Sequence, residues 1–336
     1  MTIVNRCLIW VHRYVGIPVS LLFVLWFASG IVMMYTGGMP HLTPEERLAA
    51  LDPLDLSRVR LTPAAAAVRA RIPRPPQRAG LLTVMGRPAY RLDDSTVFAD
   101  TGARLPAADP DAARRVAARF TGAPAAALRY AGLIERPDQW TLVTRAALPA
   151  HRFRVADGAA TELYVSRRTT EVAMVTTRRT RVLAWLGAIP HWFYLPSLRV
   201  DRPLWEAVIV YTSAVGCLVA LTGLLLGLTR FRWRRPSDGR PRIPYAGGMR
   251  WHYLTGAAFG LVTLTWVFSG LLSVQPFAWT TMRGLDVPAD VLSGGPLRLD
   301  DFPAFEPAAC SAGCSTACTA STSPSGTTAA RCGTPD

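Results

Sequence analysis

The chain has 336 residues, half of them hydrophobic, and its net charge of +14 rests on 37 basic residues that are all arginine. The apolar residues gather into three runs, Gly16–Tyr35, Trp205–Leu228 and Tyr253–Val274, each long enough to cross a hydrocarbon layer of about 30 Å at about 1.5 Å per residue. That excludes a wholly soluble protein. It also excludes nucleic-acid binding as the reason for the charge, because the densest basic cluster, from Arg230 to Arg250, falls in the short loop between the second and third runs.

Residues 1–36 read as the first span. Arg6 and Arg13 precede a run longer than the apolar core of a secretory signal, and no clean small-residue cleavage site follows it. The expectation is an uncleaved signal anchor whose start lies in the cytoplasm. Residues 44–178 read as an α+β domain that carries one helix–sheet pattern twice. Thr62-Pro63 caps a helix over Ala64–Ile72, and strands follow at Gly80–Met85, Ala89–Leu92 and Thr96–Ala99. Asp109-Pro110 caps Asp111–Phe120 in the same manner. Strands then follow at Ala127–Ile134, Trp140–Val143, His151–Val155, Glu162–Val165 and Val172–Thr176, with a turn at Asp157-Gly158. The domain has no nucleophile elbow, no phosphate-binding glycine loop and no H-E-x-x-H, so it reads as a binding or scaffolding domain.

Residues 181–230 hold a short amphipathic piece and the second span, 231–250 the arginine-rich loop, and 251–275 the third span. The loop contains Arg232, Arg234, Arg235, Arg240 and Arg242 with Asp238 as its only acid, and short loops of this bias stay cytoplasmic. The α+β domain and the tail 276–336 are then periplasmic, in a multi-pass protein of a bacterial inner membrane. Beyond about Pro307 the composition turns to Ser, Thr, Ala, Gly and Cys. Cys310, Cys314, Cys318 and Cys332 lack the paired spacing of a zinc site and have no histidine nearby. This tail reads as truncated or disordered, and Cys7 and Cys217 as small apolar residues.

A shift of 240 residues lays the first span on the third. His12 meets His252, Gly16 meets Gly256, Trp26 meets Trp266, and Ser29-Gly30 meets Ser269-Gly270. Internal repeats of this kind build many membrane folds. Both spans run from cytoplasm to periplasm, so His12 and His252 lie at one depth, each 17 residues before the same Ser-Gly pair. Two neutral imidazoles facing each other from adjacent helices are what a six-coordinate haem b requires. Gly16 and Gly256, one turn on, leave room for a flat macrocycle. His191, in Ile189-Pro190-His191-Trp192, belongs near the periplasmic face, and its repeat-related partner is not found in the sequence. His41, on a loop, is its only nearby substitute.

The elements His12-Arg13-Tyr14-x-Gly16, Ile189-Pro190-His191-Trp192, Arg202-Pro203-Leu204-Trp205, Thr222-Gly223 and Trp251-His252-Tyr253 with Gly256 resemble the PepSY-associated transmembrane-helix family, over roughly Met1–Pro307. The external domain is similar to PepSY modules. The resemblance implies an inner-membrane protein akin to haem-bearing ferric-siderophore reductases, with His12, His252 and His191 as haem ligands; the family has four spans, and three are found here. The expected function is electron transfer through haem b from a protein or quinol donor to a ferric complex, and no nicotinamide or flavin fingerprint is present. The alternative is a non-redox, membrane-anchored PepSY module that binds or restrains a periplasmic protein. A transporter is disfavoured, because the spans carry almost no charge and no broken helix pair.

Overall fold

The structure, a computed structural model, describes residues 3–233, 241–277, 279–280, 297–302, 318–322 and 328–332. The chain forms two units. One is helical, Met1–Gly38 with Leu183–Arg283; the other is α+β, Met39–Val182 with Gly284–Asp336.

Three helices of the helical unit are long and apolar enough to cross a membrane: Ile3–Thr36, Arg202–Arg230 and Gly247–Leu272. These are the three expected spans, and this is the pattern of a multi-pass membrane protein in a lipid bilayer. The first begins well before Gly16, because the helix runs from Ile3 through His12 and Arg13 with no glycine or proline before Gly16 to end it. Within it Val11–Val15 form one π turn, and the helix ends at Gly37, whose left-handed φ of 73° lets its N–H bond Met33 O. The second span starts at a carboxylate cap, Asp201 accepting from Leu204 N at 3.1 Å, with Pro203 in its first turn. Large side chains such as Leu21, Val24, Phe259 and Val262 stay exposed on these helices, as side chains facing lipid do. The expected amphipathic piece before the second span is broken into short helices, Ala188–His191 and Pro196–Arg199 among them. Arg234, Arg235 and Arg240 of the basic loop lie outside the described residues.

In the α+β unit the expected pattern occurs twice. Thr62 Oγ1 accepts from Ala65 N and Pro63 opens the helix Pro63–Arg69. Strands β1 (Ala79–Val84), β2 (Arg87–Leu92) and β3 (Ser95–Phe98) follow, antiparallel. Met85 and Gly86 both take positive φ, which closes the two-residue hairpin between β1 and β2. Ala66, Leu81, Tyr90, Leu92 and Val97 form the core between helix and sheet. Burial of Tyr90 raises the pKa of its phenol, which donates to Leu61 O at 2.8 Å. In the second half Asp109 caps the helix Pro110–Thr121, accepting from Ala112 N at 2.7 Å. That helix packs Ala113 and Ala117 on Phe153, Leu163 and Val165 of a four-stranded antiparallel sheet, β4 (Leu128–Ile134), β5 (Ala150–Val155), β6 (Glu162–Ser166) and β7 (Val172–Thr176). Arg91 bonds Glu171 with two nitrogens, at 2.9 and 3.2 Å, and ties the halves together.

Three expectations differ. Trp140–Val143 is no strand, because the Asp138 carboxylate accepts from Trp140 N, Thr141 N and Thr141 Oγ1 and bends the chain into a turn. The Asp157-Gly158 turn is a longer loop, in which Asp157 accepts from Thr161 N and Oγ1. Those same bonds hold its carboxyl below the usual carboxylate range. In the tail, read as unstructured, Cys318–Thr322 (β8) and Thr328–Cys332 (β9) pair with each other and extend the first sheet beyond Gly80 and Leu81 of β1. Cys310 and Cys314 lie outside the described residues.

Candidate cofactor site in the helical unit

The first and third spans bring His12 and His252 together, with ring centroids 6.0 Å apart and ring planes at 45°. His12 sits in the π turn of the first span. An i→i+5 turn adds one residue to the helical circuit, and such turns occur often at functional sites. The repeat-related stretch of the third span is continuous α-helix, so the two histidines reach one another from unlike backbones.

The second span makes the shelf for His12. Its Nδ1 lies 3.1 Å from Val219 O. A carbonyl oxygen only accepts, so Nδ1 carries the proton and Nε2 keeps the lone pair. Metal-binding histidines are held in this way, with the far nitrogen donating to a carbonyl or carboxylate. Thr222 Oγ1 donates to the same carbonyl at 3.0 Å. Gly223 completes the shelf: a Cβ there would stand 2.6 Å from His12 Cε1, so any other residue would push the ring from its seat. Gly223 is a site residue that repeat symmetry gives no reason to choose, since its role depends on a contact across 211 positions of sequence.

His252 is exposed, while His12 is half-buried. Its neighbour Tyr253 donates to Gly227 O of the second span at 2.8 Å and holds the third span in register. The two expected glycines differ in use. A Cβ on Gly16 would touch Val219 Cγ1 at an ordinary 3.5 Å, whereas one on Gly256 would meet nothing within 4 Å. Gly16 thus lies against the second span, and Gly256 lies on an exposed part of the third.

His191 is apart from this pair in sequence role and in partners. Its Nδ1 lies 3.1 Å from Trp26 O and 3.3 Å from Ser29 Oγ, and its Cε1 would be 3.0 Å from a Cβ at Gly30. The Ser29-Gly30 pair is therefore a seat for an imidazole, again protonated on Nδ1 with Nε2 free. The repeat-related Gly270 has nothing within 4 Å of its Cβ position, so the third span has no such occupant among the described residues. His41 belongs to the α+β unit, where its Nδ1 lies 3.2 Å from Met39 O. His151 is buried with both nitrogens engaged, by Ala108 O at 2.9 Å and Tyr130 OH at 3.1 Å, and has no lone pair to give.

Two imidazoles on opposite sides of one iron, each bonded at about 2 Å, hold their ring centres about 6 Å apart. The His12–His252 pair has that separation, with one ring fixed as the neutral tautomer. Among the described residues no three His, Cys, Asp or Glu side chains converge, so the donor set here is two imidazoles. Compared with protein-family models, with curated proteins and with solved structures, the chain matches none.

Proposed function

We propose that the helical unit holds one haem b between His12 and His252 and relays electrons across a bacterial inner membrane, from a protein or quinol donor to a ferric complex outside. The observation that carries this is the pair itself, two rings 6.0 Å apart with the His12 tautomer set by Val219 O. His12 and His252 would be the iron ligands. Val219 and Thr222 fix the first ring, Gly223 gives it room, and Tyr253 positions the helix that bears the second. A haem supplies reversible one-electron chemistry, tuned by axial ligands and burial. His191 is a candidate ligand for a second group near the opposite end of the first span, with Nε2 free.

The arginine-rich loop supports a cytoplasmic position for the link between the second and third spans, and with it a periplasmic α+β unit. The twofold helix–sheet pattern of that unit supports its reading as PepSY-like modules. The purified chain should show one b-type haem per molecule, with an α band that sharpens on reduction. His12→Ala and His252→Ala should each abolish the low-spin spectrum, while His191→Ala should leave it. A chain colourless after expression with added haem would end this reading and leave a membrane anchor for a non-redox PepSY-like module. Loss in His191→Ala with retention in His12→Ala would move the cofactor to the other end of the bundle.

A further inference from the structure

The α+β unit contains a cavity of about 310 Å³ between its two halves, at the lower end of the range for small-molecule sites. Leu51, Met85, Val116, Phe120 and Val172 line it with apolar surface, and the guanidinium groups of Arg47, Arg115 and Arg119 stand around it. One helix supplies both characters. On Pro110–Thr121, Val116 and Phe120 form one ridge at i,i+4 and Arg115 and Arg119 the neighbouring one. Arg47 comes from the helix Pro44–Ala49.

Its charges are unevenly matched. The two acids at the cavity are already engaged: Glu171 by Arg91, and Asp52 by Arg119. Among the described residues Arg47 and Arg115 have no carboxylate within ion-pair reach. Two unmatched, exposed cations over an apolar floor complement a ligand with an anionic head and an apolar body, and guanidinium forks suit a carboxylate. A second cavity of about 280 Å³ shares Asp52, Thr83 and Arg119 with the first, so a polar extension of such a ligand has a place to go.

We infer that this cavity is a binding site for a small organic carboxylate with an aromatic or aliphatic body, held by Arg47 and Arg115. The inference stands whether or not the helical unit carries haem. It is tested with 2-naphthoate and its uncharged analogue 2-naphthamide, titrated into the full chain in nanodiscs, with empty nanodiscs as the blank. The acid should bind at least about tenfold tighter than the amide, and raised salt should narrow that difference. Arg47→Ala with Arg115→Ala should weaken the acid by about tenfold or more and leave the amide unchanged. Both side chains are exposed, so an unaltered thermal unfolding should certify the variant's fold. Val116→Trp should remove both ligands by filling the cavity. Equal binding of acid and amide, no binding at millimolar concentration, or a double variant that binds the acid normally would each overturn the assignment.

Discussion

A methyl group added at Gly223 would stand 2.6 Å from His12 Cε1, held there by the backbone of a long helix that cannot retreat. Overpacking of this kind costs about 1–3 kcal/mol or displaces the ring. Gly223→Ala should therefore lower the thermal stability of the helical unit and broaden or abolish any haem spectrum. Gly256→Ala, whose Cβ meets nothing, should leave stability unchanged. Equal effects of the two substitutions would show that the shelf under His12 is not what seats it. A second residue-scale case lies in the α+β unit, where Arg87 donates to both oxygens of Asp100 at 2.7 and 2.9 Å and lies over the Phe98 ring. The hydrogen bonds from Arg87 hold the Asp100 carboxyl below the usual carboxylate range. A depressed folded-state pKa contributes stability above the unfolded-state value near about 3.9, and that contribution is lost as the pH falls through the folded value. Asp100→Asn should reduce stability at neutral pH, and the gap between variant and parent should shrink as acid titrates the parent.

Among the elements, the helix starts were the most legible. Thr62-Pro63 and Asp109-Pro110 announce their caps because the signal is local, a side-chain oxygen three residues before the N–H it accepts. Asp109→Ala should cost about 1 kcal/mol, read as a lower melting temperature of the α+β unit, while the exposed Asp111→Ala in the same turn should cost less. The spans were legible too, since length and hydropathy decide them. The stretch Trp140–Val143 misled because its aromatic and β-branched residues read as strand while Asp138, just upstream, claims the backbone donors that a ladder needs. The π turn at Val11–Val15 leaves the hydropathy pattern intact and so has no signature in it. The histidine pair was legible through the 240-residue repeat, whereas Thr222-Gly223 stood out only as an element of the family resemblance, with no partner assigned, and Val219 not at all. Val219 and Gly223 act by backbone position, a carbonyl and a missing side chain, and neither announces a partner in sequence.

For the whole molecule the first question is orientation. A reporter fused after Arg235 should report cytoplasm, and one fused after Asp157 should report periplasm; the reverse pair of results would invert the proposed topology and the direction of electron flow with it. The three spans are 34, 29 and 26 residues long, or about 40–50 Å at about 1.5 Å per residue. They exceed a hydrocarbon layer of about 30 Å, so their ends reach into the headgroup region or the helices tilt. The third is the least enclosed, with 6% of its apolar window buried against 22% for the second. Tyr253 OH on Gly227 O, the packing of Val267 at Gly216 and of Leu224 at Gly260, and the Phe27–Trp266 ring contact together hold its rotation and hence the aim of His252.

The order of synthesis puts a clock on this arrangement. His12 is made before its shelf at Val219 and Gly223, which comes only with the second span, and His252 follows later still. A ribosome adding about 5–20 residues per second needs roughly 10–50 s to travel from one histidine to the other. Until the third span inserts, the nascent chain has a lone imidazole, first bare and then tied by Nδ1 to Val219 O, with no partner across from it. The facing pair thus forms only once the third span is in place. Chains arrested after residue 233 should insert two spans and yet stay colourless when haem is supplied, and co-expressing the missing third span as a separate peptide should restore the spectrum.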